Sequence, residues 1–158
     1  LYAGLMIDET GTPKVIEYNC RFGDPETQPM MLRLQSDLVE LIEAANRVEL
    51  DKTTIEFDPR AAVGVVLAAK GYPGDYPKGD AISGLKVDYP AGEKVFHAGT
   101  KQSGNDVVTA GGRVLCATAL GNTVTQAQQR AYELVKKISW DGMEYRTDIA
   151  YRAIAREQ

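Results

Sequence analysis

The sequence predicts an α+β fold of antiparallel strands and amphipathic helices. Three observations carry that expectation. The first 20 residues hold two strand-like runs joined by a turn. Two later stretches repeat apolar residues at helical spacing. From Ala61 onward, short apolar runs alternate with loops rich in glycine and proline.

Residues 1–8 read as a buried strand, and Glu9-Thr10-Gly11-Thr12-Pro13 is a turn by composition. Lys14–Cys20 completes a hairpin. Alternation sets Val15, Glu17 and Asn19 on one face and Ile16, Tyr18 and Cys20 on the other. Arg21–Pro29 contains Gly23, Pro25 and Pro29 and has no apolar period, so it is expected to be a loop. Leu38, Leu41, Ile42, Ala45 and Val48 then recur at helical spacing, predicting a helix over 37–48 with Ser36 as N-cap. The period fades over Glu49–Pro59, which places a domain boundary near Asp58-Pro59.

Ala61–Lys70 is a strand by its Val63, Val65, Val66 and Leu67, and Gly71–Gly79 is a loop held by Pro73 and Pro77. Further strands are expected at Leu85–Tyr89, Val95–Ala98 and Gly112–Leu120, with Thr100–Gly111 as a hairpin tip. Val124–Ile138 is a second helix, with Val124, Ala127, Ala131, Leu134, Val135 and Ile138 as its apolar set. Thr125 and Gln128 suit a capping box there, and Lys136 and Lys137 complement the dipole in its last turn. Trp140 is expected to anchor the end of that helix, and Asp148–Arg156 is a short amphipathic tail.

With 158 residues, 44% hydrophobic and 25% charged, and a net charge of −4, the composition is that of a folded globular protein. No run approaches the roughly 18 apolar residues of a membrane span. The first residues lack the basic flank and cleavage pattern of a signal peptide. The chain opens without Met inside an apolar run, as a piece of a longer protein would. Cys20 and Cys116 are too few for a disulfide framework and read as reduced thiols of a cytoplasmic protein. The single His97, without any Cys/His spacing, argues against zinc. Residues 1–60 carry 12 acidic against 6 basic side chains, and residues 61–158 carry 10 against 12. Neither part has the dense basic stripe of a nucleic-acid binder, so small or anionic metabolites are the expected partners, with no nucleic acid and no membrane.

Chemistry concentrates in Glu17–Gln28. Glu17 and Asn19 lie two apart on a strand, so their oxygen-bearing side chains share a face, with Cα atoms roughly 7 Å apart. A carboxylate beside an amide carbonyl is a hard oxygen pair suited to Mg²⁺, which completes its shell with water and nucleotide phosphates. If the strand runs one residue further, Arg21 joins that face. Its planar fork of donors suits an anionic intermediate or a transferred phosphoryl group. Gly23 and Pro25 then turn the chain and present Asp24 and Glu26 nearby. The competing description is a solvated strand face, the ordinary fate of polar alternation. Against it, Glu17, Arg21, Asp24 and Glu26 crowd into ten residues beside apolar strands, an arrangement that favours exposed or working charges. Phosphoryl chemistry is the leading class.

The run Arg21-Phe22-Gly23-Asp24-Pro25-Glu26-Thr27-Gln28 resembles the signature of the phosphoribosylamine–glycine ligase family, a branch of the ATP-grasp ligases. Leu1–Met6, Gly71-Tyr72-Pro73, Phe96–Thr100 and Gly111–Leu115 resemble the same family in the same order, so the similarity covers essentially the whole chain. The resemblance implies that residues 1–58 are the C-terminal part of an ATP-grasp domain, antiparallel strands plus helix. It makes residues 59–158 the ligase's C-terminal domain, a small antiparallel sheet with helices that walls off the active site. The end of the chain then looks like the natural end of a stand-alone, bacterial-type enzyme.

The implied activity joins glycine to 5-phosphoribosylamine in purine biosynthesis, converting ATP to ADP and phosphate through an acyl phosphate. The implied cofactors are ATP and Mg²⁺ (or Mn²⁺). Carried over residue by residue, Glu17 and Asn19 match the metal ligands, and Arg21 matches the catalytic arginine that steadies the transferred phosphate. Gly23, Asp24 and Glu26 match the loop beside the glycine and phosphoribosylamine pockets. Ile16 resembles the apolar residue lining the adenine site, though an ordinary core isoleucine has the same appearance. Many ATP-grasp relatives carry another acidic metal ligand on the preceding strand, whereas Leu1–Ile7 contains no acid and Asp8 adjoins the turn. The family's phosphate loop and lysine-bearing nucleotide clamp belong to an N-terminal portion that would be this chain's partner, so residues 1–158 alone are expected to be inactive.

Outside the signature, His97 reads either as a structural hydrogen-bonding residue or as a contact to nucleotide or substrate. Lys101 and Arg113 read as solvated surface or as positive potential for a phosphate. Tyr72 and Tyr76 are expected to pin the two-proline loop, and Cys20 to lie in the core. Two rival readings remain: another ATP-grasp carboxylate–amine ligase or biotin-dependent carboxylase, and a non-catalytic module that keeps only the fold.

Overall fold

The computed structural model describes residues 2–85 and 88–157. Strands β1 (Tyr2–Ile7) and β2 (Pro13–Asn19) form an antiparallel hairpin. The Asp8 carboxylate closes its turn by accepting from the Thr10 and Thr12 amides and the Thr10 hydroxyl. Gly4 pairs with Glu17 but Leu5 pairs with Val15, so Ile16 is the extra residue of a bulge. Successive residues of β1 point to opposite sides. The bulge therefore puts Val15 with Leu5, on the face away from Glu17, and breaks the simple alternation expected for this strand.

The expectation of a buried first strand is also corrected. Leu5, Met6, Ile7, Val15, Ile16 and Tyr18 are between 49% and 63% exposed. Two strands cannot cover their own faces, and the substantial contacts of β1 and β2 are with each other.

Helix α1 (Thr27–Arg33) occupies part of the expected loop. Pro29 is tolerated because it lies in the first turn, where its amide would have no intrahelical partner. Helix α2 (Leu38–Asn46) is capped by Asp37, whose carboxylate accepts from the Val39 and Glu40 amides. Ser36, the expected cap, instead accepts from the Glu56 amide. A short 3-10 turn over Leu50–Lys52 leads into an extended strap at 56–60. The Asp58 carboxylate in that strap is buried and bonded twice by the Arg60 guanidinium. The strap also pairs with the end of α1, through the Asp58 amide on the Arg33 carbonyl and the Arg33 Nε on the Asp58 carbonyl.

The main sheet has the order β3-β7-β4, all antiparallel, from β3 (Ala61–Ala68), β4 (Glu93–His97) and β7 (Arg113–Gly121). Central β7 is buried along its length after Arg113. Helix α3 (Val124–Val135) packs on the sheet, and its Ala127, Ala131, Leu134 and Val135 meet Val63, Val65, Leu67, Leu115, Ala117 and Ala119 in the core. On the other side, α1 lies against β3 and β7. Gly64 permits this approach, since a Cβ there would stand 3.0 Å from Cys116 Sγ and 3.1 Å from Pro29 Cγ.

Residues 100–111 are more than a tip. They form a separate hairpin of β5 (Thr100–Ser103) and β6 (Asp106–Thr109). Leu85, Asp88 and Tyr89 lie in no strand, and the rest of the strand expected at 85–89 lies outside the described residues.

Helix α3 starts at Val124 as expected, but its cap, Thr123, lies two residues before the expected one. Thr123 Oγ1 accepts from the Gln126 amide, and Gln126 Oε1 accepts from the Asn122 amide. It ends at Val135, so Lys136 sits at the cap and Lys137 beyond it, while Ile138 and Trp140 still enter the core. Helix α4 (Tyr151–Glu157) returns to the start of α3, where the Glu157 carboxylate accepts from the Val124 and Thr125 amides. Among the described residues no helix is long and apolar enough to cross a membrane.

Candidate functional site

The open end of the β1–β2 hairpin gathers the polar groups. Cross-strand partners share a face, so Tyr2 and Gly4 on β1 stand beside Asn19 and Glu17 on β2. Gly4 leaves room for the Glu17 stem, whose Cγ would lie only 3.2 Å from a Cβ at that position. Across from them, the Tyr2 hydroxyl donates to Glu26 Oε1 at 3.4 Å. The Tyr2 hydroxyl is held above its usual pKa, first by the Glu26 charge, then by burial, with a further contribution from Glu17. Through the Tyr2 hydroxyl, Glu26 on the following loop is linked to the strand face that carries Glu17 and Asn19.

The structure therefore brings Glu17, Asn19 and Glu26 to one side of the hairpin end. Among the described residues, neither the Glu17 nor the Asn19 side chain has a protein hydrogen-bond partner, and no cluster of three or more Asp, Glu, His or Cys residues is present. Two free oxygen-bearing side chains suit a hard cation that takes most of its shell from phosphates and water. They would not make a closed protein cage.

The strand ends at Asn19, so Arg21 is not carried onto that face by alternation. Its guanidinium is exposed and donates to the Phe22 carbonyl. Cys20 is exposed as well, contrary to the expected core position, because the backbone has already left the strand. Ile16 is exposed at the bulge.

The loop from Arg21 to Glu26 is held at several points. Gly23 is buried, and an added Cβ would collide with the Glu26 carboxylate, so glycine is what allows Glu26 to fold back over the loop. The Thr27 amide and hydroxyl both donate to the Gly23 carbonyl, starting α1. The Asp24 carboxylate points the other way. It accepts from Gln28 Nε2 at 3.3 Å and lies 3.1 Å from Arg113 Nη1. Arg113 Nη1 also donates to the Asp24 backbone carbonyl, and its Nε donates to the Tyr72 hydroxyl at 3.0 Å. Tyr72 in turn packs its ring 6.2 Å from that of Tyr76, over Gly112, where any Cβ would overlap the Tyr72 ring. A cleft of about 570 Å³ runs along this junction, lined by Pro25, Gly64, Val66, Tyr72, Arg113 and Tyr145 among others.

Sequence reasoning missed the contacts among Asp24, Arg113 and Tyr72, because they join residues up to 89 positions apart. The available signal was the co-occurrence of the Arg21–Gln28, Gly71–Pro73 and Gly111–Leu115 motifs. His97 is exposed and bonds Thr100 Oγ1 at 3.0 Å. The Cys116 thiol is buried, with its pKa pushed up by that burial, which leaves it unreactive.

Residues 62–152 match the family model described as phosphoribosylglycinamide synthetase, C domain, and residues 1–27 match the model for the ATP-grasp (A) domain of the same synthetase. The chain belongs to the phosphoribosylglycinamide synthetase family. It is 71% identical over 158 residues to a phosphoribosylamine–glycine ligase of Vibrio cholerae, and 64% identical to those of Pseudomonas aeruginosa and Escherichia coli K12. In each case all of the chain is covered, against 37% of the relative, so the chain spans little more than a third of these synthetases. The crystal structure of the Thermotoga maritima phosphoribosylamine–glycine ligase superimposes with a TM-score of 0.71 at 36% identity, covering 92% of this chain and 35% of that one.

Proposed function

We propose that this chain is the portion of a phosphoribosylamine–glycine ligase that carries its metal-binding strand and signature loop. In that enzyme ATP, glycine and 5-phosphoribosylamine are the substrates. The glycine carboxylate attacks the terminal phosphorus of ATP and ADP departs, leaving glycyl phosphate. The amine of phosphoribosylamine then attacks the acyl carbon, phosphate departs, and the amine proton is released. Phosphorylation is needed because a carboxylate is a poor acyl donor. Residues 1–58 belong to the ATP-grasp domain and residues 59–158 to the C-terminal domain, and the rest of the polypeptide is the partner that completes the pocket. The reading places the enzyme in the cytoplasm.

Glu17 and Asn19 hold Mg²⁺ (or Mn²⁺), which when bound neutralises the triphosphate charge. Arg21, whose guanidinium is exposed, steadies the transferred phosphoryl group with its forked donors. Gly23 and Glu26 border the glycine and phosphoribosylamine pockets, and Asp24 fixes the course of the loop between them. Ile16 lies against the adenine. The observation that supports this reading most directly is the placing of Glu17, Asn19 and Glu26 around Tyr2, within a chain that aligns end to end with ligases of this name.

The test is made in the full-length enzyme. Glu17→Gln is expected to lower turnover at least ~10-fold and to shift the Mg²⁺ dependence to higher concentration. Arg21→Lys is expected to lose activity although charge is kept. ADP release should require glycine plus phosphoribosylamine, and bicarbonate should not replace them. Residues 1–158 alone should form no glycinamide ribonucleotide. Normal kinetics in Glu17→Gln would remove that residue from the site.

A further inference from the structure

We propose that Arg113 is a positioning residue for the synthetase reaction, acting through Asp24 to set the course of the signature loop from the C-terminal sheet. This rests on the reading that residues 21–26 border the substrates. Arg113 is the first residue of β7, the central strand, whose following residues are all buried. Its backbone is fixed on the other side too. The Gly99 amide donates to its carbonyl at 2.9 Å, and Gly99 and Gly111 approach so closely that a Cβ on either would strike the other. The side chain starts from a rigid point.

The guanidinium plane is then oriented before it reaches the loop. Its Nε is spent on the Tyr72 hydroxyl, and its carbon stands 5.8 Å from the Tyr72 ring centre, which is itself wedged over Gly112. Nη1 then meets both the backbone carbonyl and the carboxylate of Asp24. Holding a carbonyl as well as a side chain fixes the peptide itself. Two residues further on, Glu26 turns back over Gly23 toward Tyr2 and the Glu17 face. A displacement at Asp24 is therefore transmitted to Glu26, whereas Asp24's own carboxylate is engaged by Arg113 and Gln28.

The ion pair is about half exposed, with side-chain exposures of 37% and 51%, so its contribution to folding stability is small. Its contribution to geometry is not. That difference separates a positioning role from a merely structural one. Arg113→Gln in the full-length enzyme is expected to lower kcat about 10- to 100-fold, the scale of a small misplacement of reacting groups, with KM for ATP and the Tm close to wild type. Arg113→Lys should recover part of the loss, since one ammonium can reach Asp24 but cannot also hold Tyr72. Asp24→Asn should lower kcat in the wild-type background and add little to Arg113→Gln, because the two act as one unit.

Wild-type kcat in Arg113→Gln overturns the proposal. So does a kcat loss that is matched by a falling Tm and a rising KM for ATP, or losses at Arg113 and Asp24 that simply add. Should Arg113→Gln not fold, Asp24→Asn and Tyr72→Phe carry the same test, each expected to reduce kcat at unchanged Tm. Glu17→Gln is assayed in parallel. If it is inactive while Arg113→Gln is normal, only the positioning role fails; if it is fully active, the reading of the site fails with it.

Discussion

The N-terminal hairpin and the C-terminal sheet use similar residues to opposite ends. Both are antiparallel and carry branched aliphatic residues, Leu, Ile and Val in the hairpin and Val and Leu in the sheet, yet β7 is buried on both faces while β1 and β2 leave their aliphatic side chains in the open. The difference is one of layers. The β3-β7-β4 sheet has α3 on one side and α1 on the other, and the hairpin has neither. A strand pattern records that a face is meant to be covered, and only the tertiary context says by what. Under the proposed function, the remainder of the synthetase covers the hairpin and the substrates occupy its polar end.

The largest expected contrast follows directly. In this chain Leu134→Ala, which empties a fully buried site under β3 and β7, should lower the unfolding free energy by about 2–5 kcal/mol in urea titrations. Leu5→Ala on the open hairpin should change it by less than about 0.5 kcal/mol. Comparable effects at the two sites would mean that the hairpin is packed, and the comparison would break. In the full-length enzyme the Leu5→Ala effect should grow, because a cover would then be present.

Glycines sharpen the same contrast at a smaller scale. Gly64→Ala would press a Cβ against Cys116 and Pro29, neither of which can swing aside, and should destabilise by about 1–3 kcal/mol. Gly4→Ala meets only the flexible Glu17 stem and should be nearly neutral in thermal unfolding. A neutral Gly64→Ala would show that α1 is not seated on the sheet.

These contrasts also show what was legible beforehand. The strands at Ala61–Ala68 and Arg113–Gly121 follow from continuous apolar runs and the helix at Val124–Val135 from apolar periodicity, which packing here reinforces. The helix over Thr27–Arg33 did not, because its first turn carries Pro29 and it adjoins the Gly- and Pro-containing signature run, which reads as a loop. Both caps were displaced by a residue or two, since Ser36 and Asp37, or Thr123 and Thr125, offer equivalent oxygens until the backbone chooses. At the site, the shared face of Glu17 and Asn19 was readable from their spacing, but the bulge at Ile16 was not, because it depends on the partner strand. The clamp on Asp24 was beyond local reasoning altogether. Arg113 resembles a solvated arginine until Tyr72 and Asp24 are folded beside it.

Helix caps give the next contrast. Thr123→Ala removes the cap of a helix whose apolar side is core and should cost about 1 kcal/mol in urea titrations. Asp37→Ala removes the cap of α2, where only Ala44 is buried, so the loss should appear as faster amide exchange in α2 and leave global stability nearly unchanged.

The last contrast concerns the strap that leads into the sheet. The Asp58 carboxyl is held down at about 2, first by the side-chain hydrogen bonds from Arg60, then by the Arg60 amide. Since this lies below the ordinary aspartate value of about 3.9, the folded state takes up the proton less readily than the unfolded chain. The stabilisation is therefore complete above about pH 4 to 5 and is lost as pH falls toward 2. Asp58→Asn keeps the side-chain volume but removes the charge. The stability gap between wild type and this variant, from urea titrations at successive pH values, should be constant from pH 7 to about 5 and close as pH approaches 2. A gap that persists unchanged into strong acid would mean that Arg60 does not hold Asp58 in its charged form, and that the strap is tied to α1 by its other hydrogen bonds, including those of the Arg33 carbonyl and Nε to the Asp58 backbone.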